Sequence, residues 1–341
     1  MRESSRIRDF ILQNVEEHPD SVSRMTSEEF GISRQAVNRH LNTLLSQGLL
    51  IAKGKTRKRV YELKPIIESS FPIVISPDFD EDRAWRQYLA NLFEGFRPNI
   101  VGIGHYGFTE MYNNVIDHSE GTIALVSFKH VAGRVELTVA DDGIGIFNKI
   151  SKELGLADER QAILELAKGK VTTDPRNHTG EGIFFATRAF DTFSILSGSL
   201  YYCRSIHIGG EWLLEDREDV SRGTSIDMVI ATDSNRTLKE VFDKYSGEGY
   251  EYGFRRTHVP VSLATYGRES LVSRSQAKRV LARFDRFDEI LLDFTGVDFI
   301  GQAFADEIFR VFRNNNPDKK IDWISANDDV ETTIKRVISS A

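Results

Sequence analysis

TEMYNNVIDHSEG, residues 109–121, spaces Glu110, Asn114 and His118 four residues apart. Steps of four advance about 40° around a helix, so the three side chains share one face. Phe108, Met111, Tyr112 and Val115 follow the order i, i+3, i+4, i+7 and predict a buried stripe opposite them. The stretch therefore predicts an amphipathic helix that packs on a core and turns a carboxylate, an amide and an imidazole away from it. A solvated polar face has the same spacing, so the flanking segments decide between the two.

Downstream, TIALVSFKHV (122–131) and RVELTVADDGIGI (134–146) predict two strands joined by a turn at Ala132-Gly133. The second strand runs into Asp141, Gly143 and Gly145, the pattern D-x-G-x-G. Glycines there let the backbone turn tightly and approach a ligand closely, and a carboxylate at a strand end can accept a hydrogen bond from an exocyclic amine. In NHTGEGIFFATRAFD (177–191), Gly180 and Gly182 stand just before an apolar helix, where backbone N–H groups form an anion site. The intervening stretch, 147–177, is long enough for a mobile lid. Upstream, DEDRAWRQYLANLFEGF (80–96) predicts a helix with Trp85, Leu89, Leu92 and Phe93 inward, and PIIESSFPIVISPDFD (65–80) reads as a connector with one strand.

Each motif alone has bland readings: a structural turn, a calcium loop or a packing turn. Their order is more specific. E-x3-N-x3-H, a hairpin ending in D-x-G-x-G, a lid, G-x-G before a helix, then GTSIDMVI (223–230) resembles the GHKL ATPase family over about 150 residues. The nucleotide-binding domain of that family is the Bergerat fold. The resemblance implies ATP and Mg²⁺ as cofactors. It implies that Asn114 holds Mg²⁺ and that Glu110 acts as general base on the attacking water, or on a hydroxyl in the serine kinases of the family. A carboxylate one turn from the metal can take that proton. It further implies that Asp141 reads the adenine amine and that Gly143 and Gly145 shape the base pocket. Gly180 and Gly182 would meet the phosphates, and Thr224 would lie near the adenine. His118 matches a common family position without a clear role. Sensor histidine kinases usually carry Asn where Glu110 stands, which argues against that branch. The second glycine motif is shortened to TGEGI, and no phosphate-contacting lysine can be assigned; Lys170, Arg176 and Arg222 are candidates. No P-loop pattern and no zinc-type His/Cys spacing occurs.

Residues 1–65 carry 12 Lys/Arg against 8 Asp/Glu, whereas the remainder nets −11 and the whole chain −7. A basic end on an acidic chain points to an anionic partner. ESSRIRDFILQNVEEH (3–18) places Ile7, Phe10, Ile11 and Val15 at helical spacing, and a short helix follows through TSEEF (26–30). GISRQAVNRHLNTLLSQGLL (31–50) offers Gly31 as a turn and Ser33 as an N-cap. Its helix buries Ala36, Val37, Leu41, Leu44 and Leu45 and turns Arg34, Gln35, Asn38 and Arg39 outward. Two strands with a basic turn complete the order, which resembles a winged helix-turn-helix. That resemblance implies double-stranded DNA as a partner. Arg34, Gln35, Asn38 and Arg39 would read base edges, and Lys53, Lys55, Arg57, Lys58 and Arg59 would meet phosphates. A winged helix used only for protein contacts is the other reading. Many such proteins bind as homodimers; nothing in the sequence sets the oligomer.

From about residue 253, RRTHVPVSLA, VSRSQAKRVLARFDRF, DEILLDFTGV, GQAFADEIFRVFRNN, KKIDWISA and DVETTIKRVI alternate strand and helix. ILLDFTGVDFIGQAFADEIF (290–309) resembles STAS domains, which carry a phosphorylatable serine at the start of the helix after such a strand. Here Gly301, Gln302 and Ala303 occupy that segment and supply no hydroxyl. The resemblance thus implies a binding or regulatory module with a protein partner. Thr295 nearby is expected to serve local packing.

The expected fold class is α/β in an α+β multidomain chain: a winged helix at 1–65, a Bergerat α/β sandwich at 78–235 and a STAS-like β-α-β domain at 253–341. At 341 residues, two or three domains are expected. No apolar run is long enough to span a membrane, and MRESSRIRDFILQ lacks a signal-peptide core. The single cysteine, Cys203, excludes an internal disulfide and suits a reducing cytoplasm. The function expected is a prokaryotic transcriptional or signalling regulator in which Mg-ATP binding controls DNA binding. ATP hydrolysis, a serine/threonine kinase acting on another protein, and a DNA-binding scaffold with a degenerate site all remain open.

Overall fold

The computed structural model describes residues 3–54, 59–76, 78–171, 180–207, 210–214, 221–246, 254–265 and 269–339. Three helices open the chain: α1 (Glu3–Asn14), α2 (Val22–Phe30) and α3 (Arg34–Ser46). Gly31 ends α2 in the left-handed conformation, with φ of 61°. Ser33 caps α3 by accepting the Ala36 N–H at 3.2 Å. β1 (Leu50–Lys53) and β2 (Val60–Leu63) pair antiparallel, with Leu50 opposite Leu63. Ile7, Ile11, Val22, Val37, Leu41 and Leu44 form the core of this unit, and Val131 from the next unit joins it. Glu16 on the α1 side pairs with Arg134 across the same boundary.

A seven-stranded sheet follows, with the order β3-β4-β5-β9-β6-β7-β8 and antiparallel pairing throughout. Its strands are β3 (Ile67–Val74), β4 (Ile123–Val131), β5 (Arg134–Asp141), β6 (Thr192–Gly198), β7 (Leu200–Ser205), β8 (Gly210–Leu214) and β9 (Ser221–Ala231). The stretch read as a connector supplies β3, so the sheet begins ahead of residue 78. Pro72 is tolerated because β3 is an edge strand and its nitrogen needs no ladder partner. Cys203 is buried on β7, where it packs and where burial pushes its thiol pKa up.

The predicted helix at 80–96 is broken in type: α4 (Glu81–Ala84) passes through a π turn at Trp85–Leu89 into a 3₁₀ turn at Ala90–Phe93. The long helix α5 (Pro98–His118) starts with proline at its first turn, where a missing N–H costs nothing. It buries Phe108, Met111, Tyr112 and Val115 as expected. Much of the stretch expected as a lid is helical: α6 (Ile146–Leu154) and α7 (Arg160–Lys168) occupy it up to residue 168, and 172–179 lie outside the described residues. Helices α8 (Gly182–Ala189) and α9 (Leu238–Tyr245) complete the unit.

The last unit is a parallel three-stranded sheet, β10 (Arg256–Pro260), β11 (Glu289–Asp293) and β12 (Lys320–Ile324), with β11 central. Its helices are α10 (Arg274–Leu281), α11 (Gln302–Asp306), α12 (Arg313–Asn315) and α13 (Asp328–Ser339); a π turn at Glu307–Phe312 joins α11 to α12. Ser273 and Gln276 form a capping box at α10. Buried apolar residues of this unit and of the seven-stranded unit form one continuous cluster. Among the described residues, no helix is long and apolar enough to cross a membrane.

Candidate functional site

The site grows from the end of β5. Pairing of β5 with β9 sets Asp141 opposite Thr224. Asp141 Oδ1 accepts the Gly143 N–H at 2.8 Å, and the Ile146 N–H donates to Thr224 Oγ1 at 2.9 Å. The strand end, the D-x-G-x-G turn and the start of α6 are thereby tied together. Burial raises the Asp141 pKa; hydrogen bonds from the backbone of Gly143 and Thr224 oppose the rise, and the neighbouring Asp142 charge adds to it. A Cβ on Gly143 would overlap the Ser119 carbonyl oxygen, so glycine is required where this turn meets the end of α5.

Asp142, the adjacent acid, points the other way. It accepts the N–H groups of Thr122 and Ile123 at 2.6 and 2.9 Å and the Thr122 hydroxyl at 2.7 Å. These donors, the Ile123 N–H foremost, hold its pKa down at about 2. Asp142 therefore staples the start of β4 to the turn and leaves the cleft to Asp141.

One cleft collects the predicted residues. Asp141, Gly145 and Thr224 lie on its floor side; Glu110, Asn114 and His118 line it from α5. Gly180 and Gly182 close the far wall, and Gly143 sits behind Asp141 in the turn. The cavity itself is about 120 Å³, with an open mouth beyond it. Val139, Ile146, Ile150, Ile183 and Ile226 supply apolar walls. Among these walls the half-buried Asp141 carboxylate is a hydrogen-bond acceptor, with Glu110 and Glu181 as further carboxylates of the lining.

Two further residues, Glu181 and Lys149, line the cleft although sequence reasoning passed them over, and Tyr106 lies close enough to feel its charges. Glu181, between the two glycines of TGEGI, lines it, and burial raises its pKa against the pull of Lys170. Tyr106, one turn before Glu110, has its hydroxyl pKa raised by burial and then by the charges of Glu110 and Glu181. Lys149 is the one lysine or arginine among the described lining residues, and its Nζ bonds Glu120 at 2.6 Å. Of the phosphate-contact candidates, Lys170 is turned to the last unit, Arg222 is exposed outside the cleft lining, and Arg176 lies outside the described residues. Among the described residues no group of three or more His, Cys, Asp or Glu is placed to hold a metal.

On the first unit, Arg34, Gln35, Asn38 and Arg39 all lie exposed on one side of α3. Arg59 is exposed, with its guanidinium over the Tyr61 ring at 5.2 Å. Lys53 is paired with Glu62 at 2.7 Å. Lys55, Arg57 and Lys58 lie outside the described residues.

In the last unit the strand ends carry polar groups. Asp293 accepts the backbone N–H and the hydroxyl of Thr295 at 2.9 and 2.7 Å and pairs with His258 Nε2 at 3.0 Å. Burial would raise its pKa, but the bonds from His258 and Thr295 outweigh it and hold the carboxyl far below the usual range. Gly301 precedes α11, and no hydroxyl stands at 301–303. A family model described as a STAS-like domain of unknown function (DUF4325) matches residues 276–331. The STAS-like segment thus runs from α10 through β11, α11, α12 and β12 into α13, and suggests a regulatory or interaction role. No curated protein matches the chain.

Proposed function

We propose that the chain is an ATP-binding regulator of the GHKL type, with an N-terminal winged helix that binds double-stranded DNA and a STAS-like module that binds protein. The observation that carries this reading is convergence. Glu110, Asn114, Asp141, Gly180, Gly182 and Thr224 come from four separate stretches of chain and line one cleft. The antiparallel sheet covered by α5 and α8 supports a Bergerat fold for this unit. Three helices followed by an antiparallel pair support a winged helix at the start, with four exposed polar side chains on α3.

In this reading Asp141 accepts the adenine amine from a carboxylate already fixed by Gly143. Asn114 would offer an amide oxygen to Mg²⁺, whose charge would offset that of the phosphates. Glu110 takes a proton from the attacking oxygen, and the N–H groups that open α8 face the phosphates. Titration calorimetry with Mg-ATP on the wild type, Asn114→Ala and Asp141→Asn, with phosphate release followed on the same samples, tests it. Binding lost in Asp141→Asn and weakened in Asn114→Ala is expected. A wild type that binds no Mg-ATP would leave a DNA-binding scaffold. Transfer of the γ-phosphate to a second protein would instead make the chain a kinase. Its own STAS-like segment lacks the hydroxyl to be the acceptor at 301–303.

A further inference from the structure

The stretch Glu165–Val171 has two sides. Leu166 and Val171 line the cleft. Lys168, between them, is 1% exposed and reaches the other way. Its Nζ bonds Glu165 Oε1 at 2.7 Å and the carbonyls of Arg279 and Ala282 at 3.0 Å each, at the end of α10. Lys170 Nζ bonds the Arg286 carbonyl at 2.9 Å and lies over the Phe254 and Phe287 rings. In return the Arg283 and Arg286 guanidiniums donate to the Lys170 carbonyl, and the Thr257 hydroxyl donates to the Lys168 carbonyl at 2.7 Å. Arg279, Ala282, Arg283 and Arg286 all lie inside the STAS-like segment.

The same stretch is tied to the glycine motif. The Val171 N–H donates to the Gly180 carbonyl at 3.0 Å. Its backbone is also held in an unusual form. Lys170 and Arg283, bonded to each other, both have positive φ, 55° and 64°. Non-glycine residues in this region carry a cost that the surroundings must hold in place, and such sites cluster at clamps and switches. Gly169 packs between rings of both units: a Cβ there would lie 2.6 Å from Phe254 and 2.9 Å from Phe184.

We propose that docking of the STAS-like module sets the position of Gly180 and Gly182 through this strap, so that docking and nucleotide binding strengthen each other. Lys170 and Arg283 are positioning residues, one on each side of the contact. The inference rests on the nucleotide reading of the cleft. The docked form is the one whose cleft is already assembled, which fixes the sign: loosening the dock weakens the grip on phosphates. By linkage, nucleotide must tighten the dock to the same degree.

The test uses the full chain. Calorimetry measures Mg-ATP and adenosine affinity in the wild type, Lys170→Gly and Arg283→Gly; glycine keeps the left-handed backbone and removes only the side chain. Hydrogen exchange across residues 279–287 is followed in the wild type with and without Mg-ATP, and needs no variant. Expected are a rise in Mg-ATP Kd of at least fivefold in both variants, an adenosine Kd within twofold of wild type, and slower exchange at 279–287 with Mg-ATP. A wild type that binds Mg-ATP, with Kd unchanged within twofold in both variants and exchange unmoved, overturns the coupling and spares the nucleotide site. A wild type that binds neither ligand overturns both.

Discussion

A Cβ on Gly182 would overlap Oε2 of Glu110, so the first residue of α8 lies directly against the carboxylate of the long helix. The glycine motif and the proposed base are therefore one packed unit. In Gly182→Ala the flexible end of Glu110 must swing aside, which is cheap for the fold and costly for a base that needs position. The melting temperature is expected to stay within a few degrees of wild type. Phosphate release is expected to fall at least tenfold. A rate equal to wild type would remove Glu110 from the role of base.

Asp141 gives a pH dependence. Burial raises its pKa in the folded, unliganded chain. The carboxylate must be ionised to accept an amine hydrogen, so acidification protonates it and weakens binding. Because the pKa is raised, the loss begins at a higher pH than for an ordinary aspartate, near 3.9. Adenosine, which has no phosphate to titrate, is the ligand for the measurement. An adenosine affinity that is flat down to the ordinary aspartate range would contradict an amine-reading role.

Much of this site was legible because its motifs are short and local. Glu110, Asn114 and His118 share a helical face by spacing alone, and Asp141 follows an alternating strand. The polar row on α5 is half-buried in a cleft, which spacing could not distinguish from a solvated face. What stayed hidden depends on distant chain. The one strand expected in the connector, IESSFPIV, shows its place as the edge of the main sheet only once β4 is beside it, with Pro72 opposite Leu125. Lys168 in RQAILELAK looks like an ordinary solvated lysine. It is buried because α10, more than a hundred residues later, covers it. The same cover turns the latter part of a stretch expected as a lid into an anchored helix.

Asp142 links the turn to stability. Its carboxyl pKa is held at about 2 in the folded chain by the Thr122 and Ile123 donors, against about 3.9 when unfolded. A depressed folded value means stabilisation that is complete above the unfolded pKa and lost as pH falls through the folded one. Asp142→Asn is expected to be less stable than wild type at pH 7. The gap should narrow between about pH 4 and pH 2. Denaturant melts of both chains across this range give the comparison, and a gap independent of pH would assign the staple to shape and not to charge.

The buried pair Lys168–Glu165 predicts a different kind of loss. Both residues are 4% exposed or less, so removing Lys168 leaves Glu165 in a dry interface with the Arg283 guanidinium, 3.6 Å away, as its remaining ion pair among the described residues. Lys168→Met is expected to cost about 3–5 kcal/mol. The double variant Lys168→Met/Glu165→Leu is expected to recover much of it, because a well-packed apolar pair needs no desolvation. Chemical unfolding of the four chains of this cycle measures the coupling. A double variant no more stable than Lys168→Met would show that Glu165 serves the buried Arg283 guanidinium as much as it serves Lys168.

The α3 face yields the last expectation. Arg34, Gln35, Asn38 and Arg39 stand exposed together, while Val37, Leu41 and Leu44 anchor the helix from behind. Replacing an exposed side chain leaves that anchor alone, so the fold should not change. Asn and Arg make bidentate contacts to adenine and guanine edges, each worth about 1–3 kcal/mol of discrimination. Asn38→Ala and Arg39→Ala should each lose that much on a duplex selected from random sequence, with little change on scrambled duplex. Arg59 differs in kind: it lies exposed over Tyr61 at the start of β2, and in the proposed reading it meets phosphate. Arg59→Ala should weaken both duplexes alike and lower the salt slope by about one. Anisotropy titrations at several salt concentrations separate the two behaviours. If all three variants bind the selected duplex as the wild type does, α3 is a protein-contact surface and the basic end of the chain serves another partner.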